Sequence, residues 1–221
     1  MTTIGILSAA TVFSMACVSL IGSMKSEVKI NVKYSLTIAI GSILGGVLGK
    51  WLFNYIVQLA PILDLVTVIQ AGMIALLMVI ILFFVNKKGM FTLRLTNKLF
   101  ILLTGFILGL IASFLGIGGG PFNVAILMLC FSMNAKESAL NSIFIIFFSQ
   151  LFSLIYTAFS TGFERFDLSL LPYMVLGGTL GGLLGSFLSQ KVKDRHVSII
   201  FNIGIVSIIV INLYNIVHYL T

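Results

Sequence analysis

Apolar residues in this chain come in long unbroken runs rather than in alternation, and the polar positions fall between the runs. The runs lie at roughly 2–23, 34–58, 62–85, 99–116, 121–133, 137–160, 169–190 and 196–219. Most reach the ~20 residues that an α-helix rising 1.5 Å per residue needs to cross ~30 Å of hydrocarbon. The 121–133 piece is too short to cross alone. The alternating order of a lipid-spanning strand is absent, and an open sheet edge could not be satisfied in lipid. The pattern therefore predicts an all-α, polytopic transmembrane helical bundle.

Composition agrees: 59% of the 221 residues are hydrophobic and 9% are charged, with a mean hydropathy of +1.19, which excludes a soluble globule. Segment 2–23 has no basic residue before its apolar run and carries Lys25 and Lys29 after it. That is the reverse of a secretory signal, so it reads as a span. Cys17 and Cys130 both lie in apolar runs and read as small core residues.

One run is interrupted. Phe114-Leu115-Gly116-Ile117-Gly118-Gly119-Gly120-Pro121-Phe122-Asn123 places four glycines and a proline inside the apolar stretch 99–133. Glycine lets backbone approach a ligand closely, and proline suits the first turn of a new helix because its missing N–H costs nothing there. The restarted helix would aim its N-terminal amides and positive dipole end at the break, an anion-binding arrangement. Small residues packed between membrane helices are the plainer explanation of the glycines alone.

The net charge of +7 is informative through its placement. If 99–133 turns back as a re-entrant hairpin, eleven of the thirteen Lys/Arg fall in cytoplasmic loops, leaving Lys50 and Arg165 outside. If it crosses once, the count is eight against five. The positive-inside tendency favours the hairpin. Read this way, the charge calls for no nucleic-acid partner; lipid and a small anionic substrate are the expected partners, with a homo-oligomer or a partner chain left open.

The chain also repeats itself. Gly41-Ser42-Ile43-Leu44-Gly45-Gly46-Val47-Leu48-Gly49-Lys50-Trp51-Leu52 matches Gly177-Gly178-Thr179-Leu180-Gly181-Gly182-Leu183-Leu184-Gly185-Ser186-Phe187-Leu188 at an offset of 136, with seven of twelve positions identical. A weaker match aligns Thr2-Thr3 with Asn141-Ser142. The matched helices run in opposite directions, which makes an inverted-topology repeat of the kind found in secondary transporters. The expected organisation is a first repeat over 1–85, a cytoplasmic linker over 86–98 and a second repeat, complete with its break, over 99–221. Shifted back by 136, the break falls about twenty residues before Met1. Either the protein begins upstream, or the chain is a natural half-site variant.

In both copies glycines recur every fourth residue, at Gly41, Gly45, Gly49 and at Gly177, Gly181, Gly185, so each helix is expected to offer a smooth groove to a neighbour. Span 137–160 carries Ser142, Ser149, Ser153 and Tyr156 on one face, with Asn141 and Gln150 beside it. Such a stripe lines a substrate path or joins helices. Lys50, well inside its span, either snorkels outward or attracts anions. No carboxylate or histidine lies mid-span, and neither a phosphate-binding loop nor a metal-ligating cluster is present, so no enzyme activity, metal or cofactor is expected.

Three segments, Gly116 to Asn123, Ala139 to Gln150 and Leu180 to Gly185, resemble the TauE/SafE family of membrane transporters, associated with export of sulfite, sulfoacetate and related sulfur-containing anions. Its members usually carry the glycine-rich motif twice; this chain shows it once. The resemblance implies a multi-pass protein of a bacterial-type cell membrane. It also implies a substrate site at the break, with Asn141 and Ser142 lining it. Together the residues nominate Gly118, Gly119, Gly120, Pro121, Phe122, Asn123, Asn141, Ser142 and Gln150 as substrate-binding, in a permease working by alternating access. The alternative is a truncated, non-transporting subunit or assembly partner that needs another chain to complete the site.

Overall fold

A computed structural model gives the architecture and describes residues 3–24, 28–59, 63–87, 93–115, 119–160, 162–164 and 166–220. These form α1 (Thr3–Ser23), α2 (Val32–Leu59), α3 (Leu63–Asn86), α4 (Lys98–Leu115), α5 (Gly120–Phe131), α6 (Ala135–Ser160), α7 (Leu171–Lys191) and α8 (Asp194–Leu220). Seven are long and apolar enough to cross a membrane; α5, at 12 residues, is not. No strand occurs among the described residues.

Contacts between helices fix their directions. Along α2 and α4 the contacts advance in step, Gly41 meeting Leu102 and Gly105, Gly45 meeting Phe106, and Gly49 meeting Leu110, so the two run parallel. At the start of α2, the Asn31 N–H and the Ser35 hydroxyl both donate to Asn141 Oδ1 near the start of α6, at 2.9 and 2.6 Å. Hence α2, α4 and α6 all start at one end of the bundle. Between α4 and α6 the chain must come back to that end, and α5 is the return. The hairpin is closed at its base by backbone bonds from Leu93 N to Leu129 O (3.1 Å) and Leu95 N to Cys130 O (2.9 Å).

The same end gathers the other helix termini. Gln190 on α7 donates to the Gly22 carbonyl of α1 at 2.9 Å, and Asn86 and Asn202 join the end of α3 to the start of α8. Lys29, Lys33, Lys87, Arg94, Lys98, Lys136, Lys191, Lys193 and Arg195 lie in the connections or first and last turns at this end. Half-buried Lys50 lies deeper in α2. Lys25, Lys88 and Arg165 fall outside the described residues.

The core is built around the short helix. Ile38 and Ala39 of α2, Met78 of α3, Leu108 of α4, Leu127 of α5, Ile145 of α6 and Ile205 of α8 pack in one buried cluster. α1 and α7 contribute nothing to it; they pack mainly on each other, with α1 also against α6, where Phe13 stacks on Phe147 at 5.2 Å.

The two glycine rows part company here. Gly41, Gly45 and Gly49 are buried, and a methyl group on any of them would strike the backbone of α4. Gly105 and Gly109 of α4 meet the Ile38 and Ser42 backbone in return. Gly177, Gly181 and Gly185 are instead exposed, with nothing within 4 Å of an added Cβ. α7 packs on α1 through the neighbouring row. An added Cβ at Gly178 would lie 2.7 Å from Thr11 O, one at Gly182 2.7 Å from Met15 O, and Ser186 lies against Gly22. Rows 177/181/185 and 178/182/186 are both small, so spacing alone does not choose between them; the expected groove on α7 sits one residue further round.

Candidate functional site

The break is made by backbone conformation. Gly119 takes φ +81°, in the left-handed region that a side chain disfavours, and its carbonyl accepts the Asn123 N–H at 2.8 Å as α5 starts. Pro121 falls in the first turn, and no side chain caps the helix, so the remaining first-turn amides are left for another partner. At Gly120 nothing stands within 4 Å of where a Cβ would be: there is open space beside the helix start. Gly118 lies outside the described residues, as do Gly116 and Ile117.

Around this opening the structure gathers part of the predicted set. Asn123 is 3% exposed, and its amide comes within 3.4 Å of a Cβ built on Gly119. Phe122 is buried in the core beneath it, and Ser142, also buried, donates to the Gly120 carbonyl at 3.3 Å. α6 is placed for this by its own start: Asn134 and Glu137 exchange backbone N–H to side-chain bonds at 2.9 and 3.0 Å, a reciprocal cap that fixes the first turn.

Asn141 faces another way. Its oxygen receives the Asn31 N–H and the Ser35 hydroxyl, and its Nδ2 donates to Glu137 O at 2.8 Å. At 1% exposure it ties α6 to α2. Gln150 is half-buried, two turns beyond Ser142. Of the serine stripe, Ser149 has a buried hydroxyl with no hydrogen-bond partner, as does Ser138 one turn before Ser142. Tyr156 is 56% exposed and stacks on Phe152, so the stripe does not stay inside along its whole length.

A residue outside the nominated set also borders the break. Gln70 of α3 donates Nε2 to Leu115 O at 2.7 Å and to Phe114 O at 3.4 Å, satisfying carbonyls that α4 leaves open at its broken end. Its signal was present, a lone amide in the middle of the run 62–85, whose burial requires a partner. In the loop between α6 and α7, the Asp167 carboxyl is held below the ordinary carboxylate range by the Ser169 backbone N–H at 3.0 Å and by the Ser169 hydroxyl.

A helix break with left-handed Gly119 at its turn, closed on one side by the Gln70 amide and open at the start of α5, is the setting in which the chain's relatives become informative. Residues 1–213 match the family described as sulfite exporter TauE/SafE. The chain belongs to the TauE/SafE family. No curated protein and no solved structure matches it. TauE/SafE membership agrees with the seven membrane-length helices and makes this a membrane transport protein of the exporter type.

Proposed function

We propose that this TauE/SafE protein is a secondary permease for small anions, of the sulfite or organosulfonate type. It carries them past the α4–α5 break by alternating access. The observation that carries this reading is the uncapped start of α5 with open space at Gly120. Free first-turn amides and the positive end of the helix dipole favour a bound oxyanion, most strongly away from bulk water. In this reading the Gly120 and Phe122 N–H groups and the Asn123 side chain hold the anion. Ser142 steadies the Gly120 peptide, and Gln70 and Asn141 hold α4 and α2 in register around it. The cation-rich end faces the cytoplasm of a bacterial-type cell membrane, as the positive-inside tendency directs.

Sulfite efflux from proteoliposomes tests it. Gly119→Leu forces a side chain into a left-handed backbone position, and flux is expected to fall to background while the protein still inserts and purifies. Undiminished flux would overturn the site. Flux that saturates with sulfite marks a permease; flux that rises linearly marks a passive pore. A second reading, a subunit that needs another chain, is favoured by the exposed Gly177, Gly181, Gly185 row.

A further inference from the structure

Among the described residues, Lys50 alone of the lysines and arginines stands inside a helix more than a turn from either end. Its neighbours on α2 fix where it stands. One turn before it, Gly46 meets α4 at Ser113, whose hydroxyl would lie 3.1 Å from an added Cβ. One turn after it, Phe53 meets the Phe114 ring edge-on at 5.9 Å. Because α2 and α4 run parallel, Lys50 is level with the last turn of α4, residues 112–115. The lipid-facing side of α2 is drawn by exposed Leu44, Val47, Leu48, Trp51 and Tyr55, whereas Lys50 is half-buried.

The same turn of α4 also borders the start of α5. A Cβ on Gly119 would stand 3.6 Å from the Ala112 Cβ. Ala112 and Ser113, adjacent residues about 100° apart around the helix, thus present Gly119 on one side and α2 on the next. The carbonyls of this turn have another partner, since Gln70 donates to Phe114 O and Leu115 O. No hydrogen bond or ion pair among the described residues engages the Lys50 ammonium. An ammonium partly withdrawn from water inside a span needs a counter-charge. The uncapped start of α5 has the opposite need, because a helix N-terminus offers an anion only about half a positive charge.

We infer that Lys50 sets the charge selectivity of the break, its ammonium supplying the full positive charge that the start of α5 lacks. The inference rests on the reading of the break as the anion site. The amides fix where the anion's oxygens sit, and Lys50 makes an anion bind there in preference to a neutral molecule of the same shape. An ammonium is a point charge on a flexible stem, so it attracts without demanding one oxyanion geometry and suits sulfite and sulfonates alike.

Sulfite efflux from proteoliposomes, resolved into KM and kcat, tests this with Gly119→Leu run alongside. Lys50→Gln is expected to raise the KM for sulfite about tenfold with kcat little changed. Inhibition by methanesulfonate, a singly charged anion with a similar head group, should weaken in parallel. Lys50→Arg keeps the charge and is expected to hold KM within about twofold of the wild type. Where Lys50→Gln fails to purify, Lys50→Met serves as the neutral variant. An unchanged KM in the neutral variant, with Gly119→Leu abolishing flux, overturns the inference and leaves the break as the site. Equal damage from the neutral variant and Lys50→Arg overturns it in favour of a packing role. A raised KM in the neutral variant while Gly119→Leu still transports overturns the break reading and this inference with it.

Discussion

α2 and α7 carry nearly the same glycine row and meet opposite environments. In α2 every fourth residue is buried against the backbone of α4; in α7 the matched positions are bare and α1 is held by the row beside them. A row of small residues gives a membrane helix the capacity for close approach, because removing side chains lets two backbones touch. Whether that capacity is used depends on a partner that is equally small. α4 is such a partner, with Gly105 and Gly109 opposite Ile38 and Ser42. The core follows the same division, drawing on α2 to α6 and α8 while leaving α1 and α7 to pack outside it.

The largest effect should come from filling the two rows in turn. Gly45→Leu places a side chain where the Phe106 carbonyl stands, and backbone cannot step aside as a flexible side chain would. A loss of about 3 kcal/mol or more is expected, read as collapse of the monodisperse peak in detergent gel filtration. Gly181→Leu in the same assay should stay within about 0.5 kcal/mol of the parent, as a surface change does. Equal damage from both would dissolve the contrast between the helices.

Next, Asn141→Leu strands the Asn31 N–H and the Ser35 hydroxyl at the α2 side alone. Leaving the buried Ser35 hydroxyl and the part-buried Asn31 N–H unpaired is expected to cost about 1–3 kcal/mol, measured as a lowered Tm. An unchanged Tm would mean that the glycine row holds α2 without this lock. On the α7 side, Gly182→Ala brings a methyl within 2.7 Å of Met15 O and should cost about 1–2 kcal/mol, whereas Gly181→Ala should cost nothing measurable. The smallest change is Gln190→Ala, which removes the bond to Gly22 O and about 1 kcal/mol with it. Accessibility of Cys17 to a thiol reagent would report whether α1 then loosens from α7.

Much of this was readable from the residues in order. Run lengths gave the spans, and the distribution of Lys and Arg preferred the hairpin that the Asn141 bonds and the parallel α2–α4 pair describe. Both signals are properties of the chain against its solvent, lipid or water. What stayed hidden depends on which helix lies next to which. Row 177/181/185 and row 178/182/186 are equally small, so the choice was made by α1 and not by α7. Asn141 was nominated for substrate through the family resemblance; in the fold its amide is engaged by Asn31, Ser35 and Glu137. Gln70 announced a need for a partner, but only the fold could bring it to Leu115.

The shortness of α5 carries an electrical consequence. Twelve residues reach about 18 Å from the closed base of the hairpin, some three-fifths of a ~30 Å hydrocarbon layer. Under the proposed function, an anion travelling from the cation-rich end to Gly120 would cross a comparable share of the membrane voltage before being held. At about 2.3 kcal/mol per charge for each 100 mV, that share is worth about 1.4 kcal/mol, a tenfold change in occupancy. Under that reading, loading of the break from the cytoplasm would be powered in part by an interior-negative membrane, and the resting potential would join the forces that direct transport.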